Sequence, residues 1–221
     1  MAKIITIGQQ KGGAGKTTIA AHLAVCLFQT GKRVAIVDID PQGSLTQWHA
    51  LREEKFGVGY TGLRFEATSG WRLDGTLNNI SDEYDYIIID VPPHTDSDAK
   101  SAIRASNLLI IPMQASPTDL WATKNTIEFA GNENIQCKIL FNRYNPTSKI
   151  SLEINKQITS PKFKNFLGNR VVFSSCFMEG LTVTEKDPRS KAAEEVKNLT
   201  KEVLAIFAEK KEKSLAKTNN Y

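Results

Sequence analysis

Cysteine is scarce in this 221-residue chain: Cys26, Cys137 and Cys176 are odd in number and far apart. That argues against a disulfide framework, and no C-x-x-C pair offers the spacing of a metal site. Long hydrophobic runs are missing too. None approaches the ~18 residues that span a bilayer, and the opening MAKIITIGQQ has no apolar stretch leading to a cleavage site. The expectation is therefore a cytoplasmic protein. With 8 prolines and 14 glycines the chain is neither collagen-like nor low in complexity, and no internal repeat or interdomain linker interrupts it. What remains is ordinary for a folded chain, 41% hydrophobic and 24% charged residues.

Charge is present but unevenly placed. The net +4 divides into a first stretch, residues 1–130, with 12 Lys and Arg against 14 Asp and Glu, and a second, residues 131–221, with 16 against 10. A basic second stretch is compatible with a nucleic-acid partner and equally with a solvated surface and basic tail.

Short runs rich in Ile and Val recur at Lys3–Gly8, Arg33–Asp38, Tyr86–Val91, Asn107–Pro112, Cys137–Asn142 and Arg170–Ser174. Their continuous apolarity predicts strands covered on both faces. Helices are predicted over Lys16–Thr30, Leu45–Glu54, Ser97–Ala105, Thr118–Ala130 and Ser151–Thr159. The clearest helix by period is the last, where Ala192, Val196, Leu199, Val203 and Ile206 step by four and three. The pattern predicts one doubly wound α/β domain over residues 1–208, with a mostly parallel sheet flanked by helices, and a polar, frayed tail over 209–221.

The first strand runs into Gly8-Gln9-Gln10-Lys11-Gly12-Gly13-Ala14-Gly15-Lys16-Thr17-Thr18, and a helix follows. This is the G-x-x-x-x-G-K-[ST] phosphate loop in its strand–loop–helix setting. Gly12, Gly13 and Gly15 let backbone N–H groups turn inward around a polyphosphate at a helix N-terminus. Lys16 reaches the β- and γ-phosphates and the Thr17 hydroxyl ligates Mg²⁺. The cofactors expected are ATP and Mg²⁺, held by Lys11, Gly12, Gly13, Ala14, Gly15, Lys16, Thr17 and Thr18.

Two lysines five apart are more than one β/γ-phosphate needs from a single chain, so Lys11 invites a role across an interface. Asp38 and Asp40 end the next strand before Pro41-Gln42-Gly43-Ser44, where open α/β sheets place ligand chemistry; an aspartate pair that only caps the following helix is the competing reading. Asp90 ends the run Tyr86-Ile87-Ile88-Ile89 ahead of Val91-Pro92-Pro93.

Together K-G-G-A-G-K-T-T, D-I-D-P-Q-G and Y-I-I-I-D-V-P-P resemble the deviant Walker A, switch I and Walker B segments of the ParA/MinD family of P-loop ATPases. The likeness extends through Ile110–Leu120, Leu140–Arg143, Phe177–Val183 and the last helix. It covers roughly residues 3–208, nearest to short plasmid-type, ParF-like partition ATPases.

The resemblance implies that Lys11 acts in trans in an ATP-sandwich homodimer, that Asp38 and Asp90 order the hydrated Mg²⁺ with Thr17, that Asp40 orients the attacking water, and that Asn142 reads adenine. Lys11, Lys16 and Asp40 are then the catalytic set. It also implies DNA binding that reads no sequence, since 221 residues leave no room for a base-reading domain, higher-order assembly on DNA, and a ParB- or ParG-like centromere-binding partner that stimulates slow hydrolysis. Such a protein would be nucleoid-associated. Lys149, Lys156, Lys162, Lys164, Arg170, Arg189 and Lys191 are the candidate phosphate contacts.

A MinD-like membrane regulator, or a cargo-positioning ATPase, is the alternative. The tail after Ala208 offers Leu215 as its only large aliphatic, so no membrane partner is expected. An iron–sulfur carrier of the same fold would need a close cysteine pair that is missing. His94 sits in an unusually polar switch II region, and His22 and His49 receive no function.

Overall fold

Each strand of the chain feeds a helix. Strand β1 (Lys3–Ile7) leads to helix α1 (Lys16–Gln29), β2 (Val34–Asp38) to α2 (Ser44–Phe56), and β3 (Arg64–Ala67), through the turn Gly70–Arg72, to α3 (Leu73–Ile80). Then β4 (Tyr86–Asp90) leads to α4 (Ser97–Arg104), β5 (Leu108–Met113) to α5 (Pro117–Asn132) and β6 (Cys137–Phe141) to α6 (Lys149–Gln157). Helices α7 (Val172–Phe177), α8 (Val183–Lys186) and α9 (Lys191–Thr218) complete the order. The structure, a computed structural model, describes residues 1–93 and 97–218, with side chains as far as Glu209.

The strands form one sheet in the order β3-β2-β4-β1-β5-β6, parallel throughout. Parallel strands need crossovers, and the helices that supply them cover both faces. Neighbouring residues of one strand therefore enter different cores. Ile36 and Ile88 pack with residues of α1 and α9, whereas Ala35, Val37, Ile87 and Ile89 pack with residues of α3 and α4. This is the doubly wound α/β architecture expected from the apolar runs. Register then aligns the strand ends: Asp90 pairs with Ile7 on one side and with Asp38 on the other. The loops that leave β1, β2 and β4 consequently start at one level.

Helix α9 buries the expected stripe of Ala192, Val196, Leu199 and Val203. Its backbone stays helical to Thr218, past the point where fraying is expected. The run of Glu, Lys, Ala and Leu there favours helix by intrinsic propensity even without an apolar face. A correction concerns Arg170–Ser174, read from its Val-Val-Phe run as a strand. Val172–Phe177 is helical, and its buried residues Phe173 and Cys176 stand three apart, the helical spacing. Strand β3, helix α3 and helix α8 carried no sequence expectation; β3 is a short edge strand whose residues are at most half-buried.

Helix α2, which starts where the β2 loop ends, is tied down at its far side. Arg52 is buried and its guanidinium pairs with Glu185 of α8, at 2.6 and 3.0 Å, while also donating to the Thr61 and Gly180 carbonyls. The Trp48 indole donates to the Leu181 carbonyl at 3.3 Å. Breaking a buried pair from one side leaves an uncompensated charge. We therefore expect Glu185→Ala to lower unfolding free energy by about 3–5 kcal/mol in urea titration, against less than about 1 kcal/mol for Glu66→Ala, whose partner Arg64 is exposed. Equal losses would show that the Arg52 pair is not what anchors α2.

Candidate functional site

The loop between β1 and α1 is built on glycine at the positions where geometry demands it. Gly15 caps α1 with φ at 91°, and a Cβ there would overlap the Asn142 amide. Gly8 lies so close to β5 that a Cβ would meet Leu109 Cδ1 at 2.9 Å. No side chain caps α1, so its first N–H groups are free to meet an anion. Beside the loop lies an open cleft of about 380 Å³, lined among others by Gly12, Gly13, Lys16, Thr17, Asp40 and Gln42.

Lys16 is buried, and burial holds its ammonium below the usual lysine range, with Asp90 and Asp40 pulling the other way. The three aspartates occupy different environments. Asp38 is already satisfied: its Oδ1 accepts from the Asp40 N–H at 3.0 Å, and its Oδ2 from the Thr46 N–H and hydroxyl at 2.9 and 2.7 Å. It thus braces the first turn of α2, the capping role weighed as the competing reading, and burial still raises its carboxyl above the ordinary value. Asp40 is half-buried on the cleft wall and accepts the Gln42 N–H at 2.9 Å.

Asp90 is fully buried, and neither of its oxygens has a hydrogen bond of normal geometry. Burial pushes its carboxyl up to about 8, opposed by Thr17 and Lys16 and reinforced by Asp38 and Asp40. An orphaned carboxylate beside a threonine hydroxyl and an aspartate is a donor set that fits Mg²⁺. Among the described residues no three His, Cys, Asp or Glu side chains converge as a protein-only metal cage.

Lys11 and Lys16 part company. The Lys11 ammonium turns away to α5, where it pairs with the buried Asp119 and donates to the Thr118 hydroxyl at 3.1 Å. Asp119 also accepts the Gln114 N–H at 2.8 Å, and the Gln114 amide donates to the Gly13 carbonyl at 3.3 Å. Gln9, which carried no sequence expectation, is buried and binds the loop to the same helix. Its amide donates to the Thr123 hydroxyl at 2.8 Å and the Pro112 carbonyl at 3.3 Å, and its oxygen accepts from the Gln10 N–H at 2.8 Å. No local pattern marks Gln9 or Asp119, because the partners that tie them across the fold, Thr123 and Lys11, lie more than a hundred residues away.

A second pocket, of about 200 Å³, adjoins the cleft and shares Gly15, Thr18 and Arg143 with it. Asn142 lines it from the end of β6; its Nδ2 donates to the Ala14 carbonyl at 2.8 Å and its Oδ1 accepts the Arg143 N–H at 3.0 Å. Arg143 itself sits at φ 52°, unusual for a residue with a side chain. The pocket is also lined by residues from Leu167 to Ser174; of these the sequence reads Arg170–Ser174 as a strand and carries no expectation for Leu167–Asn169. His22, given no role from sequence, lines it too, with Nδ1 2.7 Å from the Thr18 carbonyl and Nε2 3.6 Å from the Cys176 sulfur.

The basic residues expected to meet DNA lie on several elements. Lys149 and Lys156 lie on α6; Arg189 and Lys191 lie at the turn into α9. These four are exposed, as is Lys164. Lys162 instead donates to Asn155, and Arg170 pairs with Glu195. His94 lies outside the described residues.

Comparison with known proteins places these features. Residues 5–183 match the model of the CobQ/CobB/MinD/ParA nucleotide binding domain. The chain is similar to the chromosome-partitioning ATPase Soj of Treponema pallidum, 25% identical over 93% of this chain and 98% of that one. It is also similar to the maintenance of carboxysome distribution protein A of Halothiobacillus neapolitanus, 27% identical over 90% of this chain and 95% of that one. The structure of the septum site-determining protein MinD from Pyrococcus horikoshii, complexed with Mg-ADP, has the same fold, with a TM-score of 0.76 and 21% identity over 92% of this chain and 96% of that one. No helix among the described residues is long and apolar enough to cross a membrane.

Burial carries a pH signature. Desolvation lowers the His22 imidazole to about 4, so the folded chain holds it neutral while the unfolded chain protonates it near 6.5. A group depressed in this way contributes stability that is complete above the unfolded value and shrinks as pH falls from about 6.5 towards 4. The difference in unfolding free energy between wild type and His22→Gln should shrink by on the order of 2–3 kcal/mol across that window. A pH-independent difference would show that the imidazole is not held neutral.

Proposed function

The chain belongs to the CobQ/CobB/MinD/ParA nucleotide-binding family, and from that premise we propose that it is a ParA-type ATPase of DNA partition. ATP and Mg²⁺ bring two copies together face to face, the dimer holds DNA without reading its sequence, and a centromere-binding partner protein stimulates hydrolysis and release. The observation that supports this most directly is the divergence of the two loop lysines. Lys16 is buried in the cleft beside Asp90 and Asp40, the place for a β/γ-phosphate. Lys11 turns to Asp119 and Thr118 of α5 with its side chain 39% exposed, so it is not committed to the phosphates of its own loop, which supports a role towards a neighbouring copy's nucleotide.

In this reading the phosphates lie in the cleft, gripped by the backbone of Gly12, Gly13, Ala14 and Gly15, by Lys16 and by the Thr17 and Thr18 segment. The base lies in the adjoining pocket against Asn142. When bound, Mg²⁺ supplies charge neutralisation for the transferred phosphoryl group. Thr17 and Asp90 are the residues to hold it, with Asp38 nearby, and Asp40 orients the attacking water. Nonspecific DNA binding rests on the exposed Lys149, Lys156, Lys164, Arg189 and Lys191. Arg170 and Lys162, already partnered, are the weaker members of the list. The carboxysome-distribution relative supports a second reading, in which a protein assembly rather than a plasmid or chromosome is the cargo.

Two experiments test the reading. Lys16→Ala should lose ATP affinity by about a hundredfold or more. Lys11→Ala should still bind ATP yet stay monomeric in size-exclusion light scattering, with turnover down by about 10³, the scale of a charge supplied in trans. ATP-dependent dimers of Lys11→Ala would remove its role across the interface. For DNA, the ATP-bound protein should pellet with unrelated duplexes and lose affinity steeply as salt rises, with Asp40→Ala accumulating in the bound form. Binding that ignores ATP, or none at low salt, would leave partition unsupported.

A further inference from the structure

The wall of the smaller pocket is held from behind by a residue that touches neither cavity. Glu195 lies on α9, and its side chain is 10% exposed. Its Oε2 accepts the Gly168 N–H at 2.9 Å. Arg170 donates to the same carboxylate from Nη2 at 2.8 Å, and from Nε at 3.2 and 3.3 Å. The packing has no slack: a Cβ on Gly168 would meet Arg170 Nε, Arg170 Nη2 and Glu195 Oε1, each at 3.2 Å.

The other side of this segment is stitched to β6. The Leu167 N–H donates to the Phe141 carbonyl at 2.9 Å, and the Tyr144 N–H donates to the Leu167 carbonyl at 2.9 Å. Beyond the buried Leu167 and the bridge between Gly168 and Tyr144, the chain forms no helix or strand before α7, and the Glu195 carboxylate is what holds Gly168 and Arg170 from the α9 side.

We propose that Glu195 is a positioning residue for the nucleotide base, fixing the Gly168–Arg170 wall opposite Asn142 and keeping the Arg170 guanidinium turned away from the base. The proposal rests on the ATP reading above and names what that reading leaves open, which is how α9 takes part in the site. The second half of the role follows from donor chemistry. A guanidinium presents a planar fork of N–H donors, which suits the O6 and N7 acceptors of guanine and faces a donor in the adenine amino group. With Nε and Nη2 committed to Glu195, that edge of the guanidinium is occupied and its orientation is held, so loss of the carboxylate releases a donor fork for a guanine base.

The test compares three ligands by calorimetry, each with Mg²⁺: ATP, GTP and inorganic tripolyphosphate, which has phosphates and no base. For Glu195→Ala, ATP affinity should fall by about tenfold or more, as expected when a charge-assisted contact is lost. Tripolyphosphate should stay within about twofold, and the preference for ATP over GTP should narrow. Glu195→Gln keeps an acceptor for the Gly168 N–H and removes the charge facing Arg170, so its loss should be intermediate, about threefold. If the alanine variant fails to fold, the glutamine variant carries the same comparison.

A parallel loss of all three ligands would reduce Glu195 to a stability residue, and unchanged ATP affinity would remove it altogether. A wild-type protein that binds ATP no more tightly than tripolyphosphate would overturn the nucleotide reading itself, and the proposal with it.

Discussion

A carboxylate sealed from water without a hydrogen-bond partner is among the costliest groups a core can contain. Asp90 is such a group, at the end of a central strand and in register with Ile7 and Asp38. Burial displaces its charge state upward while displacing that of Lys16 downward, so acid and base in the same recess each lean towards their neutral forms. Two opposed shifts a few residues from a glycine loop describe a place whose electrostatics are incomplete in the bare chain. A polyphosphate and a divalent cation bring the charges that would complete it. The sheet supplies the rest, since only aligned parallel strand ends put Asp38, Asp90 and the start of the loop at one level.

The loop is then held from three directions. Gln9, Gln114 and Lys11 bind it to the β5–α5 junction; Asn142 binds it to the end of β6 through the Ala14 carbonyl; Gly8 passes against Leu109 with no room for a side chain. Glycine gives the loop its turns, and these contacts take away its freedom. A binding loop that is rigid before its ligand arrives loses less entropy on binding, which is the physical advantage of preorganisation.

The core of this arrangement was legible because its signals are local. Continuous Ile and Val runs give strands buried on both faces, and a glycine-lysine spacing gives the phosphate loop. What was not legible depends on distant partners. Arg170–Ser174 reads as a strand until the sheet is seen to end at β6, after which Phe173 and Cys176 take a helical spacing. Strand β3 has two exposed residues in four, too little apolarity for a run to register. Arg170, counted from sequence as a free cation for DNA, is partnered by Glu195, 25 positions away. Charge counts see residues singly, whereas pairing decides which of them are available.

Asp38 shows how the site communicates with the rest of the chain. Its carboxylate braces the first turn of α2 through Thr46, and the far side of that helix is pinned by Arg52 to Glu185. A cation drawing on Asp38 would have to win it from three hydrogen bonds, so occupancy at the strand end and order in the first turn of α2 would compete for one group. The Arg52 anchor and the Trp48 contact hold the body of the helix, and the segment from Asp40 to Thr46 is the part tied directly to Asp38. That segment carries Asp40 and Gln42, both on the wall of the phosphate cleft. Under the proposed ATP reading, competition for Asp38 would therefore act where the γ-phosphate would lie, with a buried ion pair holding the far side of α2.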